Sequence, residues 1–383
     1  MVPLLLRQQF LGDLTHAGEV AAPLTAARDD VDLCQMARRA LNYLRGNPVP
    51  ERDYECRFEL GPLGIPVQVP SGVPPNQYGY DPISLGDTDC RMHSQFVHMR
   101  EMAGESEPCA VELGVARRVH GYLGAGDLAW LNPAAWTGEP VEGYWISKWA
   151  SAKIMVRLAD DFAATGDVAV RDHARRIFAA LKSLAHWDGP RAYYPGGGVP
   201  VKDGDYLRQG WCEEHSKNYV FLVEPCVHYA NLCDDPEALD FAVALTEGFL
   251  ACSQPGQDQM RINPHTGTFQ AHVHLHTHAV WGVARLGAQL GEDRYLDWAQ
   301  RVYEYVRDHG MDYGWFPEFL PHNGHKAETC VVGDMLSIAA WLAQRHPHYF
   351  DHLERGVANY LARCQFSLTP EFVELFHHLH RDK

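Results

Sequence analysis

Residues 279–305 read AVWGVARLGAQLGEDRYLDWAQRVYEY, and this stretch decides the fold class. Before Gly291, the residues Ala279, Val280, Val283, Leu286 and Leu290 recur at the three- and four-residue steps of one helical face. After it, Tyr295, Trp298, Val302 and Tyr305 do the same. The link Leu290-Gly-Glu-Asp293 is short, and short links of this kind join antiparallel helix neighbours.

The pattern repeats in both directions. Helix-like runs stop at, and resume after, Ala103-Gly-Glu-Ser-Glu107, Thr165-Gly-Asp167, Cys233-Asp-Asp-Pro-Glu237 and Arg345-His-Pro-His348, so that breaks recur every 55 to 70 residues. Self-similarity at such a spacing marks a repeat architecture. Five hairpins, a helix over Asp30 to Leu44 and a last one over Glu371 to His380 give twelve helices in six pairs. The expectation is an all-α (α/α)6 barrel, an inner ring wrapped by an outer one, formed by residues 1–383 as a single domain without a C-terminal β-sandwich. The plain alternative is an open solenoid of helix pairs.

Composition fits a folded chain and excludes several partners. Of 383 residues, 46% are hydrophobic and 21% charged, which is neither disordered nor low-complexity. The formal net charge is −16 with no basic run to offset it, so nucleic acid and anionic membrane surfaces are disfavoured. The N-terminal apolar stretch, Val2 to Leu6, is far shorter than a signal-peptide core, and no window approaches the roughly 20 apolar residues of a membrane span. The expected location is cytoplasmic. Ten scattered cysteines with no CxxC pair read as small buried thiols.

The connections between hairpins are long, running approximately over 47–86, 122–143, 188–216, 256–275 and 311–328. In a closed ring they emerge at one end, and long loops in a compact domain are uncommon without a purpose. They carry aromatics and carboxylates, a combination suited to the apolar CH faces and hydroxyls of a sugar. Tyr80, Tyr194, Trp211, Glu214, Trp315 and Glu318 are the candidate substrate contacts. The plain alternative for each aromatic is packing of its loop.

Two segments carry candidate chemistry. In His272-Val-His274-Leu-His276-Thr-His278, alternation puts the first three histidines on one face of an extended approach to a helix over 277–290, with His278 in its first turn. They suit proton transfer, substrate hydrogen bonding or metal ligation; His276 and His278 are the catalytic candidates and His274 a binding one. In Glu328-Thr-Cys330, Thr329 is expected to cap a helix through Val332, Met335, Leu336 and Leu342, with Cys330 in its first turn. Unpaired amides there favour a thiolate. Glu328 and Cys330 can share a zinc ion or act as acid/base and nucleophile; the plain alternative is a capping carboxylate beside a buried thiol. Asp334 reads as a solvated helix-surface residue that could alternatively face the cavity.

Glu328-Thr-Cys330, preceded by the loop Gly314-Trp-Phe316 and the helix start His278-Ala279, resembles the catalytic barrel of glycoside hydrolase family 127, the β-L-arabinofuranosidase-like proteins. The stretch from Tyr349 to Glu371 is similar to barrel-only relatives of that group, and the similarity is strongest over roughly 190–371. The resemblance implies that Glu328 and Cys330 match a Glu-x-Cys pair that binds zinc together with two adjacent downstream cysteines, one of them the nucleophile. Downstream of Cys330 this sequence has Cys364 alone, so neither the nucleophile nor the full zinc set carries over.

The leading expectation is a glycoside hydrolase acting on a sugar or glycoconjugate in the funnel, with Glu328 as acid/base, zinc as the candidate metal and self-association left open. A second is a sugar epimerase or isomerase resembling the N-acetylglucosamine 2-epimerase type, which uses histidines as acid and base. A third is a non-catalytic carbohydrate-binding toroid.

Overall fold

The computed structural model describes residues 31–56, 87–131, 145–194, 219–251, 262–263, 265–270, 272–320 and 328–365, with positions 371 and 374. They fall into two compact units. The first contains α1 (Leu33–Gly46), α2 (Asp87–Ala103) and α3 (Ala110–His120). Leu41, Leu44, Phe96, Val115 and Val119 form its apolar interior, and a buried Arg100–Glu112 pair at 2.8 Å ties α2 to α3.

The second unit contains eight helices among the described residues, in four antiparallel hairpins: α4 (Lys148–Thr165) with α5 (Val168–Ser183), α6 (Val223–Cys233) with α7 (Pro236–Ala251), α8 (Val273–Leu290) with α9 (Asp293–Arg307), and α10 (Thr329–Ala343) with α11 (Tyr349–Arg355). Each expected break is a real one. Gly166 and Gly291 end α4 and α8 in the left-handed conformation at φ +70° and +69°, returning their N–H groups to Phe162 O and Gly287 O. Glycine adopts that conformation without steric penalty.

The hairpins differ in how their two arms are buried. α4, α6, α8 and α10 pack side by side, each also against its own partner, and α4 is buried without interruption from Ala150 to Asp160. α9 instead has a single apolar stripe, Tyr295, Leu296, Trp298, Ala299, Val302, Tyr303 and Val306. A helix buried all round is flanked on every side, whereas a one-stripe helix faces solvent with its other side. The sequence of α4 through α11 therefore alternates inner and outer helices.

The long connection after α5 contains an element the helical reading lacked, a short antiparallel hairpin pairing His186–Asp188 with Arg191–Tyr193. Gly248 of α7 packs onto this hairpin so closely that an added Cβ would lie 2.2 Å from the Ala192 carbonyl oxygen. The expected last helix over Glu371 to His380 lies almost entirely outside the described residues. No helix among the described residues is long and apolar enough to cross a membrane.

Local caps do measurable work here. Asp167 accepts the Ala169 N–H at 2.9 Å and starts α5. Asp167→Ala is expected to cost about 1 kcal/mol, read as a fall of about 2–4 °C in thermal midpoint.

Candidate active site at the inner helix mouths

The histidine segment and the Glu-x-Cys segment meet at the N-terminal ends of α8 and α10. The helix of the first begins at Val273, four residues earlier than alternation suggests. The reason is tertiary: Val273 N–H donates to Glu318 O at 2.8 Å and His272 pairs with Phe319 in an antiparallel bridge, so the loop carrying Glu318 holds the helix start without a side-chain cap. His274 and His278, one turn apart, then share a helix face. His276 turns away from them. Its ring stacks on Phe269 at 4.5 Å and 6° between planes, and its Nδ1 bonds the His272 carbonyl at 2.7 Å.

The face shared by His274 and His278 meets Asp334 of α10. Asp334 Oδ2 lies 2.7 Å from His274 Nδ1 and 2.8 Å from the Thr277 hydroxyl; Oδ1 lies 3.1 Å from His278 Nδ1. This corrects the surface reading of Asp334, which is only 3% exposed. Burial alone would push its carboxyl up, but the two histidines outweigh it and hold the group well below the usual carboxylate range. An ionised carboxylate only accepts, so each ring donates its Nδ1–H, and a ring in its neutral form then keeps Nε2 as an acceptor. Burial lowers His278 to about 4 against the opposing pull of Asp334, which leaves the ring neutral at pH 7. Its buried Nε2 has no hydrogen-bond partner among the described residues. Around the ring stand Trp149, Phe221 and Trp281, at 5.1, 5.2 and 5.2 Å.

Glu328 occupies the cap position of α10, and Thr329, the expected cap, is the first helical residue. The Glu328 carboxylate makes no capping bond because it is engaged with His272 Nε2, 2.8 Å away. Burial pushes Glu328 up, yet the His272 hydrogen bond, the neighbouring His274 and His272 rings, and the Cys330 thiol bring it down to about 2. At rest this is an anion, fitted to stabilise positive charge or accept a proton.

Donor atoms of His274, Glu328 and Cys330 lie within 4.8 Å of one another. An imidazole, a carboxylate and a thiol suit zinc, whose bonds to them span about 2.0–2.3 Å, and three protein ligands leave a fourth position open. The residues present therefore fit such an ion after small side-chain adjustments. His274, His278 and Asp334 form a second close group, which their hydrogen bonds already explain.

The remaining candidates divide. Trp315 and Glu318 lie half-buried on the loop beside His272. Tyr194 is buried, donates to Leu181 O at 2.7 Å and lies under the Lys148 ammonium at 4.9 Å, so it fastens its loop rather than offering a free face. Tyr80, Trp211 and Glu214 lie outside the described residues. Sequence reasoning missed Trp149 and Lys153, whose ammonium sits 4.3 Å from the Trp149 ring. The signal was present: Lys153, Arg157 and Asp160 recur at helical spacing within an otherwise apolar run, which marks a polar stripe turned inward.

No family model and no curated protein matches the sequence. Solved structures do match. A sugar epimerase from a ruminal bacterium superposes with a TM-score of 0.54 at 10% identity, covering 82% of each chain. A GH127 β-L-arabinofuranosidase from Geobacillus stearothermophilus T6 superposes with a TM-score of 0.50 at 11% identity. That match covers 85% of this chain, which spans about half (55%) of the arabinofuranosidase chain. At these identities the likeness shows the fold, an (α/α)6 barrel of paired helices.

Proposed function

We propose that this chain is a carbohydrate-active enzyme that hydrolyses an O-glycosyl bond at the mouths of α8 and α10. The observation that carries the reading is the ionised Glu328 carboxylate, held by His272 beside His274 and Cys330. Glycosidic cleavage passes through an oxocarbenium-like state that needs an anion near the anomeric carbon and a proton for the leaving oxygen. Glu328 supplies the anion. Glu318, half-buried on the loop whose Phe319 pairs with His272, is the candidate proton donor. His278, neutral and with its Nε2 lone pair available, accepts the proton of the attacking water. Trp149, Phe221 and Trp281, each half-buried, offer apolar faces to the sugar ring. His274, Glu328 and Cys330 would hold a zinc ion, whose contribution when bound is Lewis-acid polarisation of its ligands. The structural likeness to a GH127 enzyme and the sequence resemblance around Glu328-Thr-Cys330 both support this reading.

A second reading, epimerisation or isomerisation of a free sugar, is favoured by one observation: two histidines anchored on one carboxylate, one with an unpartnered buried Nε2. The superposing sugar epimerase keeps it in view. Product analysis on a panel of aryl glycosides, oligosaccharides and free monosaccharides separates the two. Hydrolysis releases two molecules from one and is expected here; conversion of a monosaccharide to an isomer of equal mass, with no glycoside cleaved, would establish the alternative.

A further inference from the structure

We infer that Asp334 is a positioning residue that locks two histidines at once in the same tautomer, so that neutral His274 and His278 both carry a bare Nε2. The inference rests on the reading of that mouth as the reaction centre, but its geometric content stands apart from which reaction occurs.

Asp334 reaches α8 with both oxygens: Oδ2 to His274 Nδ1 and Oδ1 to His278 Nδ1, at 2.7 and 3.1 Å. The Thr277 hydroxyl stands between the two rings in sequence, 2.8 Å from Oδ2 and 3.0 Å from the Val273 carbonyl oxygen. A carboxylate cannot donate, so neither histidine can place its only proton on Nε2 and keep its bond to Asp334. One side chain thereby sets the chemistry of two rings. Its oxygens also fix both ring planes, whose centroids lie 5.6 Å apart at 67°. For His274, which belongs to the donor group with Glu328 and Cys330, a bare Nε2 would be the nitrogen free to hold a metal ion, backed by a carboxylate in the arrangement that orients metal-binding imidazoles. For His278, a bare Nε2 among three aromatic rings is a proton acceptor.

An asparagine would behave differently despite its matching shape. It has one accepting oxygen and one donating nitrogen, so it can satisfy only one ring as Asp334 does. The other must turn its Nδ1 lone pair toward the amide and move its proton to Nε2, changing an acceptor into a donor at the site.

The test is nitrogen NMR of the full chain labelled with [15N]histidine at neutral pH, with His274→Gln and His278→Gln to assign the two rings. The wild type is expected to show protonated Nδ1 and bare Nε2 on both, and Asp334→Asn to move one of the two to the Nε2–H form. In activity, Asp334→Asn is expected to lose on the order of 10²–10⁴-fold in kcat with KM little changed, and Asp334→Glu, which keeps two accepting oxygens, to recover part of it. A proton on Nε2 of either ring in the wild type overturns the inference with no variant needed. So does an Asp334→Asn spectrum in which both tautomers persist. Bare Nε2 atoms in a protein that cleaves no glycoside would leave the inference standing and remove the hydrolase reading alone.

Discussion

Glu328→Gln is expected to lose on the order of 10³-fold in turnover, about 4 kcal/mol of transition-state stabilisation, while keeping its fold. The substitution preserves the shape of a residue that caps α10 in position but not through its side chain, so the helix loses no capping bond. What it removes is the charge. Held down to about 2 by His272, His274 and Cys330, the carboxylate is ionised throughout the neutral range, and only an ion can stabilise an oxocarbenium-like state by charge. If the proposed zinc site is filled, metal content should fall in parallel, since an amide ligates zinc less well than a carboxylate. Unchanged turnover in a folded variant would remove Glu328 from the chemistry.

Arg285→Met is expected to destabilise the protein by about 3–5 kcal/mol at pH 7. Arg285 Nη1 lies 2.5 Å from Glu224 Oε1 and 3.1 Å from His228 Nδ1, and its guanidinium sits 5.8 Å from the Trp341 ring. Because arginine only donates, His228 accepts at Nδ1 and carries its proton on Nε2, which faces Asp160 Oδ1 at 2.7 Å. One guanidinium therefore links α6, α8 and α10 directly and reaches α4 through His228. Removing it leaves Glu224, 5% exposed, as a buried anion without its main partner.

The effect has a defined pH dependence. Burial raises the Glu224 carboxyl, but its neighbours, the Arg285 guanidinium first among them, reverse this and hold it below its ordinary 4.5. A folded value lower than the unfolded one contributes stability above the unfolded value and loses it as pH falls through the folded one. The gap between wild type and Arg285→Met should be widest near neutrality and narrow as pH drops below about 4.5. Urea midpoints measured from pH 7 down to pH 4 and below check this, and a gap that stays constant with pH would contradict the ion-pair account.

The helical layout was legible because it is written locally. Each hairpin break carries its own turn chemistry, as at Gly166 and Gly291, and each outer helix its own stripe, as in α9. The site was less legible because its bonds join residues far apart in sequence. Histidines at 272, 274, 276 and 278 satisfy an extended pattern as well as a helical one; the pairing of His272 with Phe319 decides in favour of an early helix. Asp334, four residues after Cys330, resembles any solvated helical carboxylate until its partners 56 to 60 residues upstream are in place. His276, chosen from sequence for its place at the helix mouth, packs against Phe269, while His272 binds Glu328.

On the proposed function, α8 and α10 join two distant segments into one sugar-binding centre. A crystal structure of Glu328→Gln soaked with an oligosaccharide that the wild type cleaves tests it most directly. Sugar density within hydrogen-bond distance of residue 328 and of His278 Nε2 is the predicted result. Sugar bound elsewhere, with both side chains out of its reach, would contradict the account.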